Sequence, residues 1–262
     1  MIHLIKALKK LKSIGVVAIK QSFEDEGASF KDIEIMRLIT KAARVNLNVK
    51  IGGCEAKNDI FFCKKIKADS IVGPMVESEY ALNKFVHSAN IGIKTNLLIN
   101  IETNLAVKKL DKMIKSDSFN FLKGVIIGRS DLAGSLNLTK KEVNSSKVFN
   151  IVENTLKKIK RLNKKNFIVK MGGSITPKSK FFISSLYLKN LLHRIETRNV
   201  EINLSKKTIE NIDKIIVEAF KFELLWLEFK LKNVKKSNNI LLFNDYYFRI
   251  KEMRSRLEKM NA

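Results

Sequence analysis

Carboxylates and cations recur immediately after short apolar runs along this chain. Lys20 is followed by Glu24, Asp25 and Glu26, Lys50 by Gly52, Gly53 and Glu55, and Ile101 by Glu102. Gly128 is followed by Arg129, Ser130 and Asp131, Lys170 by Gly172, Gly173 and Ser174, and Ile195 by Glu196. If the apolar runs are parallel strands, these side chains gather at one rim, where ligands of α/β folds bind. Two carboxylates with open positions suit Mg2+ or Mn2+, water and substrate oxygens completing the octahedron. Glu102 and Asp131 end successive runs, and paired strands lie about 5 Å apart, so both can reach one ion. The alternative is that each carboxylate caps the helix that follows it. Gly128-Arg129-Ser130-Asp131 also offers backbone N–H groups at a strand-to-helix turn, a cradle for a substrate carboxylate. VKIGG (Val49–Gly53) and VKMGG (Val169–Gly173) repeat one pattern. Lys50 and Lys170 beside paired glycines read either as phosphate or sugar-acid grips or as tight turns.

The elements that must position these groups alternate. Strands are expected at residues 14–20, 47–51, 70–73, 97–101, 124–128 and 167–171, with two more at 191–195 and 200–204. Helical patterns fall at 32–43, 55–66, 78–88, 105–114 and 139–162. Such alternation implies parallel strands joined by helical crossovers, and this many units favours an α/β barrel of the TIM (β/α)8 type over an open sheet. The catalytic barrel is expected over residues 1–204. Residues 205–262 read as C-terminal helices, one over 208–234 and one over 245–259, broken at Ser237-Asn238-Asn239. The apolar stripe of Ile212, Ile215, Ile216, Ala219 and Phe220 either packs as the barrel's last layer or makes an oligomer contact.

With 50 Lys and Arg against 26 Asp and Glu, the chain carries +24 in 262 residues. Its hydrophobic content of 45% excludes a fully disordered chain. The lysines are spread along the whole chain, which reads as solvated faces rather than a nucleic-acid patch. The field should still attract anionic substrates. Two cysteines, Cys54 and Cys63, are too few for a disulfide framework. No run reaches the ~18 apolar residues of a membrane span. The expectation is a soluble cytoplasmic protein without a membrane partner.

INIETNLAVKKLDKM (Ile99–Met113) followed by GVIIGRSDLAGSL (Gly124–Leu136) resembles the metal-binding pair of the HpcH/HpaI aldolase and citrate lyase beta-subunit superfamily. IVGPMVESEYALNKF (Ile71–Phe85) resembles another strand of that family, and the likeness runs over about Val16–Leu138. It implies a TIM barrel, with Mg2+ or Mn2+ on Glu102 and Asp131, a pyruvate-like or acyl-thioester enolate on the metal, and homo-oligomeric assembly. Three departures stand out. The aldolases carry a His where this chain reads FEDEGAS, and His3, His87 and His193 lie elsewhere. Lys50 stands in the place of an Arg, keeping the charge without the bidentate fork. Arg129 replaces the Pro of the family's GPxDL segment, and is expected to supply the missing guanidinium.

The function expected is a metal-dependent carbon–carbon lyase or aldolase. It would form or cleave a 2-oxo acid through a pyruvate-type enolate, with a sugar-like aldehyde as second substrate. Lys50, Arg129 and Glu26 are the expected catalytic residues, Glu26 as base. Gly128, Ser130, Lys170, Gly172 and Gly173 are the expected substrate-binding residues. Competing readings are a citrate-lyase-like acyl-CoA thioester lyase, a Schiff-base enzyme using Lys20, Lys50 or Lys170, and a basic, non-catalytic polyanion-binding barrel.

Overall fold

The computed structural model describes residues 1–92, 94–235 and 239–261. Strands β1 (Val16–Ser22), β2 (Asn46–Lys50), β3 (Ser70–Gly73) and β4 (Asn96–Ile101) form the first half of a closed barrel. β5 (Leu122–Gly128), β6 (Ile168–Gly172), β7 (Arg194–Glu196) and β8 (Val200–Asn203) complete it in sequence order. Helix α1 (Ile2–Ser13) precedes β1, and α2 (Phe30–Ala43), α3 (Lys57–Lys65), α4 (Glu79–Ala89) and α5 (Asn104–Lys115) follow β1 to β4. The short α6 (Arg129–Ser135) and the longer α7 (Ser146–Lys160) separate β5 from β6, and α8 (Lys180–Leu188) separates β6 from β7. After β8 come α9 (Lys206–Glu210), α10 (Ile212–Lys235) and α11 (Ile240–Asn261).

The barrel is of the expected α/β, TIM type, with one departure. β1 to β7 pair in parallel, but β8 runs antiparallel to both neighbours, β7 and β1. Only Thr197, Arg198 and Asn199 join β7 to β8. A parallel return needs a crossover of a dozen or more residues, so this connection must be a hairpin. Residues 139–162, expected to be mostly helical, divide into a 3₁₀ turn (Lys140–Asn144) and α7. The expected helix over 208–234 is α9 plus α10, and of the expected break Ser237 and Asn238 lie outside the described residues.

Alternation along the strands sorts the side chains. Ile19, Leu47, Val49, Ile99, Val125 and Ile127 face outward into one continuous core with the helices. Val72, Leu98 and Ile126 form a separate apolar cluster inside the barrel. The rest of the interior is polar and charged, with Lys20, Asn48, Lys50, Asn100, Lys170 and Glu201 all on inward positions of their strands. Local caps hold the helices that follow β1, β3 and β4. Ser29 and Asp32 form a capping box on α2, and Ser78 and Thr103 accept bonds from Ala81 N and Ala106 N to cap α4 and α5. Each such cap stabilises its helix by about 1 kcal/mol. α1 packs between α2 and α10, on Leu4, Leu8 and Leu11. α10 lies against the barrel through Ile212, Ile216, Ala219 and Phe220, and α11 returns along it.

Candidate active site at the carboxyl ends of the strands

Glu102 follows the last residue of β4 and is buried at the mouth of the barrel. Oε1 accepts from Met75 N at 3.0 Å, and Oε2 from Asn100 Nδ2 at 2.8 Å. Thr103, not Glu102, caps α5, and its hydroxyl also donates to Glu77 Oε1 at 2.6 Å. Asp131 stands in the first turn of α6, where no side chain caps the helix. The helix-capping alternative is therefore not what holds either carboxylate here. Gly128 makes room for Glu102 at the start of α6. A Cβ at that position would lie 2.7 Å from Glu102 Oε2, so only glycine leaves the carboxylate its place. Burial is the main cause that raises the Glu102 pKa, and Asp131 adds to it; Lys50 and the bonds from Met75 and Asn100 oppose it.

Lys50 ends β2 with its ammonium 3.8 Å from Glu102 Oε2 and 2.6 Å from Asp25 Oδ2. The residue that reaches Lys50 from the β1–α2 loop is thus Asp25, and Glu26 points elsewhere. Glu26 Oε2 accepts from Asn199 Nδ2 at 2.6 Å, and Arg249 of α11 donates to the Glu26 carbonyl at 3.1 Å. Burial pushes Glu26 up to about 7, against the opposing charges of Lys20, Lys230 and Arg249. Glu26, the expected base, thus lies on the Asn199 side of the loop, and the carboxylate in reach of Lys50 is Asp25.

Arg129, expected to supply a guanidinium to the substrate, is held within the protein. Its side chain is 0% exposed. Nε donates to Gly172 O, one terminal nitrogen to Asn144 Oδ1, and the other to Gly173 O and Ser179 Oγ. The guanidinium also lies 4.7 Å from the Phe182 ring centroid. With four of its five N–H donors on these groups, Arg129 ties α6 to the β6–α8 loop. Burial without a carboxylate partner lowers its pKa to about 9.

Gly128, Ser130, Gly172 and Gly173 do come together on the β5–β6 side of the mouth. Gly173, at φ +81°, packs against the α6 amides, where a Cβ would meet Ser130 N at 2.4 Å and Arg129 N at 2.6 Å. Ser130 Oγ and Ser174 Oγ share a 2.8 Å hydrogen bond. Gly172 makes room for Glu196, whose Cγ would lie 2.9 Å from a Cβ there. The glycines of VKMGG are thus required by close packing. Lys170 is not with them. It lies deeper in the barrel, 2.6 Å from Glu201 Oε2, and Glu201 also takes Asn48 Nδ2 at 2.6 Å and Arg194 at 2.7 Å. Burial opposes the Glu201 charge, yet Lys170 and Arg194 outweigh it and lower its pKa. Lys20 is held by Glu196 at 2.8 Å, and that pairing more than offsets burial, so its pKa is raised. All three lysines of the Schiff-base reading are paired with carboxylates.

Asp25, Asn100 and Glu201 were not among the expected site residues. Asn100 was within reach, since it shares the inward face two residues before Glu102. Among the described residues no group of three or more His, Cys, Asp or Glu converges. Glu102 has the donor capacity a divalent ion needs, and Asp131 is near enough to act on its charge. Each Glu102 oxygen accepts one hydrogen bond and keeps a second lone pair, Gly128 keeps the space beside Oε2, and an oxygen donor set matches Mg2+ or Mn2+.

The barrel superposes on solved structures of one superfamily. It matches an HpcH/HpaI aldolase from Desulfitobacterium hafniense DCB-2 with TM-score 0.61 and 14% identity, over 74% of this chain and 81% of that one. It matches an HpcH/HpaI aldolase/citrate lyase family protein from Burkholderia cenocepacia J2315 with TM-score 0.58 and 12% identity, over 83% and 90%. The citrate synthase SbnG matches with TM-score 0.58 and 13% identity, over 83% and 89%. No family model and no curated protein matches the chain. The motif resemblance is borne out at the level of fold, and the chain takes the barrel of the HpcH/HpaI aldolase and citrate lyase structures. No helix among the described residues is long and apolar enough to cross a membrane.

Proposed function

We propose that this protein is a carbon–carbon lyase of the aldolase type, forming or cleaving a 2-oxo acid through a pyruvate-type enolate. The observation that carries this reading is Glu102 at the mouth of the barrel, with the Lys50 ammonium 3.8 Å away and Asp131 near enough to act on its charge. Glu102 and Asp131 would hold Mg2+ or Mn2+, which when bound supplies Lewis-acid stabilisation of charge on a 2-oxo acid. Lys50 places an ammonium 3.8 Å from Glu102, positioned to attract the substrate carboxylate and to share developing enolate charge. Asp25 orients that ammonium through its 2.6 Å contact and is the mouth carboxylate in place to carry a proton. The buried wall of Asn100, Met75 N and Gly128 fixes Glu102 so that little reorganisation accompanies reaction. The positive field draws anionic substrates to the mouth. An aldehyde would be the second substrate.

The test is exchange of the pyruvate methyl protons into D₂O, followed by NMR, with Mg2+ or Mn2+, with EDTA, and with Glu102→Gln. Exchange that needs both the metal and Glu102 supports the reading. Exchange that persists in Glu102→Gln, or none under any condition, overturns it.

A further inference from the structure

A recess opens at the other end of the barrel, on the face where the strands begin. It encloses about 670 Å³, within the range of small-molecule sites. Its wall includes Lys123, Lys160, Lys164 and Arg194 and not one Asp or Glu. A second recess on the same face shares Arg194, adds Lys12 and Arg44, and is also free of carboxylates. Two of these cations are partly engaged. Lys164 donates to three carbonyl oxygens, and both burial and the nearby charge of Lys123 lower its pKa. Lys160 reaches the Lys189 carbonyl. Lys123 is exposed and has no acidic partner among the described residues. Arg194 is anchored by one terminal nitrogen to buried Glu201 and remains 24% exposed, so the rest of its fork faces the recess.

A wall of cations with no carboxylate on its surface is an anion receptor, and a half-anchored guanidinium matches phosphate oxygens. The remaining wall is suited to a ring. Phe167, Leu156 and Leu191 are apolar, and Asn163 and Asn190 present carboxamides that can read polar edges. His193 accepts from Val169 N through Nδ1, which leaves Nε2–H as a further donor at the wall. We infer that this recess binds a phosphorylated small molecule of nucleotide size. Its compact volume favours one such ligand over an extended strand. The site lies on the opposite face from Glu102 and does not rest on the reading of the mouth.

Calorimetric titration of the full chain with ADP and with inorganic pyrophosphate tests it. Both probes should bind one saturable site, and Lys123→Glu, an exposed position, should weaken them at least tenfold. Lys31→Glu makes the same change of net charge at the opposite face and should leave affinity within twofold, as should Glu102→Gln. Equal losses in Lys123→Glu and Lys31→Glu would reduce the effect to net charge and overturn the inference. So would the absence of saturable binding by either probe, or binding of single-stranded RNA alone with affinity that grows with length.

Discussion

Replacing Glu26 with Gln should stabilise the protein at alkaline pH, although it removes a charge that three cations surround. Glu26 is buried against Asn199, Lys20, Lys230 and Arg249, with Oε1 lacking any hydrogen-bond partner. Burial outweighs those cations and raises its pKa from 4.5 to about 7. The folded protein therefore holds this proton more tightly than the unfolded chain does. Between about pH 4.5 and pH 7 the folded state binds more protons, so this residue's contribution to stability falls as pH rises through that window. A displacement of this size is worth about 3 kcal/mol once both states are ionised. Gln keeps a carbonyl for Asn199 Nδ2 and cannot ionise. The advantage of Glu26→Gln over wild type should be about 1 kcal/mol at pH 5 and about 3 kcal/mol at pH 8. Urea unfolding of both proteins at matched pH values measures it, and the difference between them cancels every other titrating group. A variant less stable than wild type at pH 8, or a difference that does not change with pH, would refute the reasoning. Either result would mean that Glu26 is ionised in the fold and held by Lys20, Lys230 and Arg249.

Lys170→Met should destabilise the protein by about 3–5 kcal/mol in urea unfolding, because it strips a buried partner from Glu201. A variant of unchanged stability with a raised KM would instead place Lys170 among substrate-binding residues. Gly128→Ala should lower methyl-proton exchange about 100-fold while the circular dichroism spectrum stays native, since a Cβ 2.7 Å from Glu102 Oε2 displaces that carboxylate. Unchanged exchange in Gly128→Ala would separate the position of Glu102 from the chemistry.

What was legible in the sequence follows from which signals are local. The β1 to β6 strands fall within two residues of the apolar runs, because strands walled by helices read as continuous hydrophobic stretches. Glu102 was legible by the same logic, standing where a strand ends and a cap, Thr103, begins. The α1 helix went unread although Leu4, Leu8 and Leu11 have helical spacing, because lysines between them obscured the stripe. Which of Glu24, Asp25 and Glu26 enters the mouth depends on how the chain turns after Ser22, and nothing local encodes that turn. Arg129 looked like a substrate fork from its place beside Asp131. Its partners Asn144, Gly172, Gly173 and Ser179 are remote in sequence, so its structural role becomes visible only in three dimensions.

The direction of β8 has a consequence for the mouth. A parallel last strand would end at the mouth and send its helix back toward the face where strands begin. Here β8 descends from the mouth, and α10 starts at the lower face, where Thr208 in the preceding α9 meets Gly15, and climbs. At 1.5 Å per residue its 24 residues span about 36 Å, enough to carry it past the mouth. That climb brings Glu223 to Thr197 Oγ1 and Asn199 N, at 2.6 and 2.7 Å, and so fixes the β7–β8 turn. Asn199 in turn holds Glu26, and α11 returns with Arg249 on the Glu26 carbonyl. The loop that presents Asp25 to Lys50 is therefore clamped from behind by α10 and α11. The reversed strand makes these helices part of what positions the mouth, and a truncation before α10 removes Glu223, Lys230 and Arg249 from that support at once.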